Sequence, residues 1–232
     1  MSPSVIAIDG HAGAGKSTLA DLIAERLNFW HVNTGLYYRA VTWLALENKV
    51  SPTDAEALAQ LAYSAEIEVK EGQSHQELWV NGQNITQDVR TPEINRLISQ
   101  VASLGGIRNA ITSHLQRLQH PKGIIMDGRD IGTVVFPNAD LKLFLTASVE
   151  ERARRQFADN AKEGIHLSLE ELEEMIASRD QQDSERDVAP LCQAQDAVLL
   201  DSTHQSVQSL AEQALTLWEK HAACKTELSS NA

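Results

Sequence analysis

The stretch Gly10-His11-Ala12-Gly13-Ala14-Gly15-Lys16-Ser17 carries three glycines in six positions and then Lys-Ser. Glycine lets a backbone wrap closely and point successive N–H groups inward at phosphate oxygens. The spacing GxxxxGK[ST] adds a lysine that reaches the β- and γ-phosphates and a hydroxyl that ligates Mg²⁺. The surroundings suit it. Val5-Ile6-Ala7-Ile8 is short and wholly apolar, the pattern of a strand buried on both faces, and Asp9-Gly10 reads as the turn that ends it. Behind the motif, Leu19, Leu22, Ile23 and Leu27 recur at helical spacing. A helix starting near Lys16 brings the positive end of its dipole to the anion. Strand, glycine-rich loop and helix thus follow in order. Gly10, His11, Ala12, Gly13, Ala14, Gly15, Lys16, Ser17 and Thr18 are the expected ATP contacts.

The rhythm recurs along the chain. Ile124-Ile125-Met126 runs to Asp127-Gly128, an apolar stretch from Leu141 leads to Thr146, and Ala197-Val198-Leu199-Leu200 runs to Asp201-Ser202. Each is followed by a helical or polar segment, and the last by an amphipathic helix bearing Val207, Leu210, Ala214 and Trp218 on one face. Strands alternating with helices predict an α/β fold, a mostly parallel sheet with helices on both sides. One region breaks the pattern. Ile67-Glu68-Val69-Lys70 alternates, and Asn81-Gly82 within Leu78 to Ile85 is a strong hairpin signal. A small antiparallel insert over residues 65–90 follows. Residues 150–190 are polar and charged, which predicts a helical, weakly packed lid. One domain is expected over residues 1–220, its core being 1–64 and 91–220, with a frayed tail over 221–232.

Of 232 residues, 42% are hydrophobic and 22% charged, with a formal net charge of −12. An acidic chain repels polyphosphate surfaces, which argues against general nucleic-acid or membrane binding. Any phosphorylated ligand must be held by local arginines, lysines and backbone N–H groups. No apolar run approaches the roughly 18 residues of a membrane span, and no basic n-region opens the chain. The two cysteines, Cys192 and Cys224, lack metal-ligand spacing. A cytoplasmic monomer is the expectation.

A phosphate loop alone names no reaction. Asp127, at a strand end, is the candidate carboxylate for Mg²⁺ or its water, together with Ser17. A GTPase switch would need a base-reading Asn-Lys-x-Asp. The only Asn-Lys, Asn48-Lys49, continues Val50-Ser51. A small-molecule kinase instead needs a second anion site and a lid that keeps water from the γ-phosphate. Arginines are abundant in the segments that follow strands and in the polar stretch, and Arg clamps phosphate bidentately.

The chain resembles the bacterial cytidylate kinase family nearly end to end. The stretches that carry the resemblance begin with the phosphate loop and Asn33-Thr34-Gly35-Leu36-Tyr37-Tyr38-Arg39. Ser99-Gln100-Val101-Ala102-Ser103 follows, and above all Gly128-Arg129-Asp130-Ile131-Gly132-Thr133-Val134-Val135-Phe136-Pro137. Glu151-Arg152-Ala153-Arg154-Arg155, Arg179 through Arg186 and Leu200-Asp201-Ser202-Thr203 complete it. The resemblance implies a P-loop kinase that phosphorylates CMP and dCMP from ATP with Mg²⁺. In that reading the insert is part of the lobe that binds the acceptor. Arg39, Arg129 and Arg186 clamp the CMP phosphate, while Ser99, Arg108 and Asp130 read cytosine. Asp183 with Arg179 meets the sugar, Thr34 and Tyr38 belong to the same acceptor set, and Arg152 and Arg155 close over ATP. Lys16, Arg129, Arg186, Arg152 and Arg155 form the implied catalytic set. Departures are Asn33 where the family often has Asp, Gln156 where a second lid arginine is usual, and His11-Ala12 for the commoner Pro-Ser. A kinase of the same fold with another acceptor (UMP, AMP or a non-nucleotide) is the first alternative, and a nucleotide-dependent switch the second.

Overall fold

The computed structural model describes residues 4–72, 76–162 and 164–230; the opening Met1-Ser2-Pro3 and the last two residues of the expected tail lie outside them. In chain order the elements are β1 (Val5–Gly10), α1 (Lys16–Leu27), β2 (Trp30–Asn33), α2 (Gly35–Glu47), α3 (Ala55–Ser64), β3 (Ile67–Lys70), β4 (Glu77–Val80) and β5 (Gln83–Asn84). Then come α4 (Pro92–Ser103), α5 (Gly105–Leu115), β6 (Ile124–Gly128), a π-helical turn (Ile131–Val135), β7 (Leu141–Thr146), α6 (Val149–Lys162), α7 (Leu169–Glu185), β8 (Val198–Asp201) and α8 (Val207–Ser230). The chain divides into two compact units. One comprises Met1–His31, His120–Glu185 and Leu191–Ala232; the other comprises Val32–Gln119 and Arg186–Pro190.

The first unit holds β1, β6, β7, β8 and the first two residues of β2, in a five-stranded sheet of order β2-β6-β1-β7-β8, with β1 parallel to both β6 and β7 and β7 parallel to β8. This is the predicted α/β architecture. Ile6 and Ile8 of β1, Ile125 of β6 and Leu143 and Leu145 of β7 pack with Leu19 and Ile23 of α1 and Leu210 and Ala214 of α8. Each fully buried aliphatic side chain contributes roughly 1.5–3 kcal/mol. The sheet ends differ from expectation. Asp9-Gly10 and Asp127-Gly128 are read from sequence as turns after the strands, yet they are the last residues of β1 and β6. Asp9 and Asp127 stay in the sheet because each buried carboxylate is met by donors, as described below. α6 and α7 share a small core of Ala153, Leu172 and Ile176.

The second unit holds the three-stranded antiparallel sheet β3-β4-β5 and helices α2 to α5. Asn81 and Gly82, at φ 49° and 78°, turn the β4–β5 hairpin as the sequence predicts. Asn81 also closes onto Glu66, its Oδ1 accepting from the Glu66 N–H at 2.9 Å and its own N–H donating to the Glu66 carbonyl at 2.9 Å. Thr91 caps α4 by accepting from the Ile94 N–H, with Pro92 at the first helical position. Among the described residues no helix is long and apolar enough to cross a membrane. Cys192 and Cys224 are free and exposed.

Candidate active site

The phosphate loop lies between β1 and α1, as expected. Gly10 is required by a close approach: a Cβ there would sit 1.9 Å from the Leu145 carbonyl oxygen of the neighbouring strand. Gly15, at φ 94°, is the left-handed residue that starts α1. Lys16 is buried and donates from Nζ to the His11 carbonyl at 2.7 Å, so its ammonium already lies within the loop. Burial, with Arg129 also nearby, pulls its pKa well below the ordinary lysine range. Such a cation has lost its water and has much to gain from a phosphate.

Ser17 donates from Oγ to Oδ2 of Asp127 at 2.8 Å. The other oxygen of Asp127 meets Nε2 of His31 at 2.8 Å, and Nδ1 of His31 meets Asp21 at 2.6 Å. Two carboxylates on the two ring nitrogens require both to donate, so the imidazole is the cation. Burial would lower the His31 pKa, but these two acceptors outweigh it and raise it to about 9. Burial would raise Asp127, and the His31 hydrogen bond and charge reverse that and hold it below the ordinary carboxylate range. Ser17 and Asp127 are hard oxygen donors beside the phosphate loop. They fit Mg²⁺, which takes one or two protein oxygens and completes its shell from phosphate and water. His31 and Asp21 were not singled out by sequence; a lone His in a short strand carries no motif.

Three of the arginines expected in the site, Arg152, Arg155 and Arg129, are held by acceptors in this unit. Arg152 is buried and fully engaged: Nε donates to the Ala147 carbonyl at 3.0 Å, Nη1 to the Ala12 carbonyl at 3.2 Å, and the fork spans Asp180 at 3.0 and 2.6 Å. Arg155 donates to Glu151 at 3.0 Å and to the Ser202 hydroxyl and carbonyl at 3.1 and 2.5 Å. A cavity of about 270 Å³ beside the loop is lined by Gly15, Thr18, Arg155, Ser202, Gln205 and Val207 among others. Arg129 donates from Nε to Asp183 at 2.7 Å. Arg179 lies on α7, near enough to Lys16 to lower its pKa.

Arg129 and Asp130 stand at the mouth of the π-helical turn. Asp9, the penultimate residue of β1, accepts from the N–H groups of Ile131 and Gly132, both at 2.7 Å. Burial pushes the Asp9 carboxyl up to about 6, against these two bonds. Asp9 was read from sequence as part of a turn and of the family's phosphate-loop stretch, with no role of its own. Its partners are more than a hundred residues away and follow no local pattern.

In the second unit, Thr34 is buried ahead of α2, and Asn33 accepts from the Gly35 N–H at 2.9 Å. The amide oxygen thus accepts at the entry to α2 without carrying a charge. Arg39 donates to the Val89 carbonyl at 2.8 Å. Arg108 is 2% exposed; it donates to the Ala102 carbonyl at 3.0 Å and lies 5.2 Å from the centre of the Tyr38 ring. Ser99 is half-buried on α4, and Arg186 donates to the Ala189 carbonyl at 2.7 Å. The predicted acceptor residues therefore fall in two groups: Arg129, Asp130, Arg179 and Asp183 in the first unit, and Thr34, Tyr38, Arg39, Ser99, Arg108 and Arg186 in the second.

Comparison with known proteins is consistent over most of the chain. The family model for cytidylate kinase matches residues 6–220. Cytidylate kinase of Lysinibacillus sphaericus (strain C3-41) is 46% identical over 215 residues, covering 93% of this chain and 96% of that protein. Cytidylate kinase of Bacillus subtilis (strain 168) is 45% identical over 215 residues, with the same coverage of both chains.

Proposed function

The chain belongs to the cytidylate kinase family, and from that membership we propose that it transfers the γ-phosphoryl group of ATP to CMP and dCMP. The products are ADP and CDP or dCDP. The acceptor follows from that membership, and the geometry that supports phosphoryl transfer most is the buried Lys16 inside the glycine-rich loop, next to the Ser17–Asp127 pair. In this reading the loop N–H groups and Lys16 hold the ATP phosphates, and the cavity beside Arg155 and Gln205 takes the adenine end. Mg²⁺ held through Ser17 and Asp127 would neutralise charge on the phosphates. Transfer is direct and in line, with no covalent enzyme intermediate. Positioning and charge neutralisation supply most of the acceleration.

On the acceptor side, Arg39, Arg129 and Arg186 take the CMP phosphate, with Thr34 and Tyr38 in the same set. Asp183 and Arg179 take the sugar. Ser99, Arg108 and Asp130 read the base: cytosine presents N3 and O2 acceptors and an N4 amino donor, which an Arg donor and an Asp acceptor complement. Arg152 and Arg155, on α6, belong to a lid over residues 150–190. The enzyme works as a cytoplasmic monomer. Arg108→Ala and Asp130→Ala are the direct test: each raises KM for CMP far more than KM for ATP. Equal effects on both substrates contradict the base-reading role.

A further inference from the structure

The segment from Gly128 to Pro137 is irregular, and the fold grips it from both ends. After Arg129 and Asp130 the backbone enters the π-helical turn. The Val135 N–H reaches the Asp130 carbonyl at 3.1 Å and the Phe136 N–H reaches the Ile131 carbonyl at 2.6 Å. A π turn is a rare conformation that persists only where its surroundings favour it, and the N–H groups at its start have no partner within it. Here Ile131 and Gly132 donate to the two oxygens of Asp9 on β1, each at 2.7 Å. At the other end, Lys142 of β7 donates from Nζ to the Pro137 carbonyl at 2.6 Å and to Asp196 at 2.8 Å. Asp9 and Lys142 are both buried. A carboxylate therefore sits at the N–H end of the segment and an ammonium at its carbonyl end, each the sign that the local backbone dipole favours. The Lys142 stem also packs on Gly132: a Cβ there would come 3.0 Å from Lys142 Cδ and 3.4 Å from Asp9 Oδ2.

We propose that Asp9 and Lys142 are positioning residues for the acceptor nucleotide, fixing the π-helical turn whose entrance presents Arg129 and Asp130. This rests on the reading that gives those two residues to CMP. Neither anchor touches substrate. Asp9 is the residue before Gly10, so the strand that launches the phosphate loop also sets where the acceptor-reading pair stands. Its carboxylate uses both oxygens on backbone donors, and an amide cannot replace it, because one N–H would then face an NH₂ group.

Asp9→Asn and Lys142→Met test this, with KM for CMP, KM for ATP, kcat and unfolding midpoint measured for each beside the wild type. Met keeps the stem on Gly132 and removes only the ammonium. Asp9→Asn raises KM for CMP on the order of tenfold to a hundredfold, as expected for losing a charged hydrogen bond, with KM for ATP nearly unchanged. Lys142→Met shows the same one-sided rise, smaller. A parallel rise in both KM values, or a lower midpoint with both KM values unchanged, overturns the proposal. If Asp9→Asn does not fold, Lys142→Met decides by the same split. A wild type that leaves CMP unphosphorylated overturns the functional reading itself, before either variant is compared.

Discussion

Lys16 and His31 show how single side chains in this protein are prepared by burial. Lys16 donates to the loop's own His11 carbonyl, a weak substitute for phosphate, and its pKa is pulled down by burial and by Arg129. In the proposed function ATP phosphate is what compensates that charge. Lys16→Ala is expected to lower kcat on the order of 10²–10³-fold, as removing one preorganised donor does, with the unfolding midpoint little changed. Steady-state assay beside thermal unfolding measures both. His31 carries a different signature. Its pKa rises from 6.5 to about 9 on folding, so its contribution to stability is complete below pH 6.5 and is lost as pH climbs through 9. At about 1.4 kcal/mol per pKa unit the loss is on the order of 3 kcal/mol. Urea unfolding across that range should show the decline in the wild type and a flatter profile in His31→Gln. A profile that is equally steep in both would mean that the titrating group is elsewhere.

At the scale of elements, α6 carries two arginines that sequence treats alike and structure separates. Both are expected to face ATP. Arg152 is bolted to Asp180, Ala147 and Ala12, while Arg155 is a third exposed and shares Glu151 and Ser202. Deleting one member of a buried ion pair costs about 3–5 kcal/mol, so Arg152→Ala should destabilise the fold by that order as well as slow turnover. Arg155→Ala should cost less than about 1 kcal/mol of stability and act mainly on KM for ATP. Denaturant unfolding and steady-state kinetics on both variants separate the two. Four of the five strands of the parallel sheet and the hairpin were legible in sequence because their signals are local: apolar runs, and Asn81-Gly82 with both residues at positive φ; β2, Trp30–Asn33, was missed because it is short and carries two polar residues among its four. The strand ends were not. Asp9 and Asp127 look like turn residues until Ile131, Gly132, Ser17 and His31 are brought to them from far along the chain.

For the whole molecule, a net charge of −12 leaves anion binding to a few prepared cations and backbone donors. The phosphate loop was fully legible, since its chemistry is written in contiguous residues. The proposed acceptor residues could be named only through the family's motifs, because Arg39, Ser99, Arg108, Asp130 and Arg186 share no spacing that physical chemistry alone would group. The supporting partners Asp9, His31, Asp21, Asp180 and Lys142 were not legible, because they act on other side chains and backbone rather than on ligand. Family membership rests on 46% identity across 93% of the chain, and the substrate assignment follows from it. The most direct measurement is an ADP-release assay of the purified chain with ATP, Mg²⁺ and a panel of CMP, dCMP, UMP, AMP and shikimate as acceptors. The account predicts that kcat/KM is highest for CMP and dCMP; preference for AMP or a non-nucleotide acceptor, or no acceptor-dependent ADP release, would contradict it.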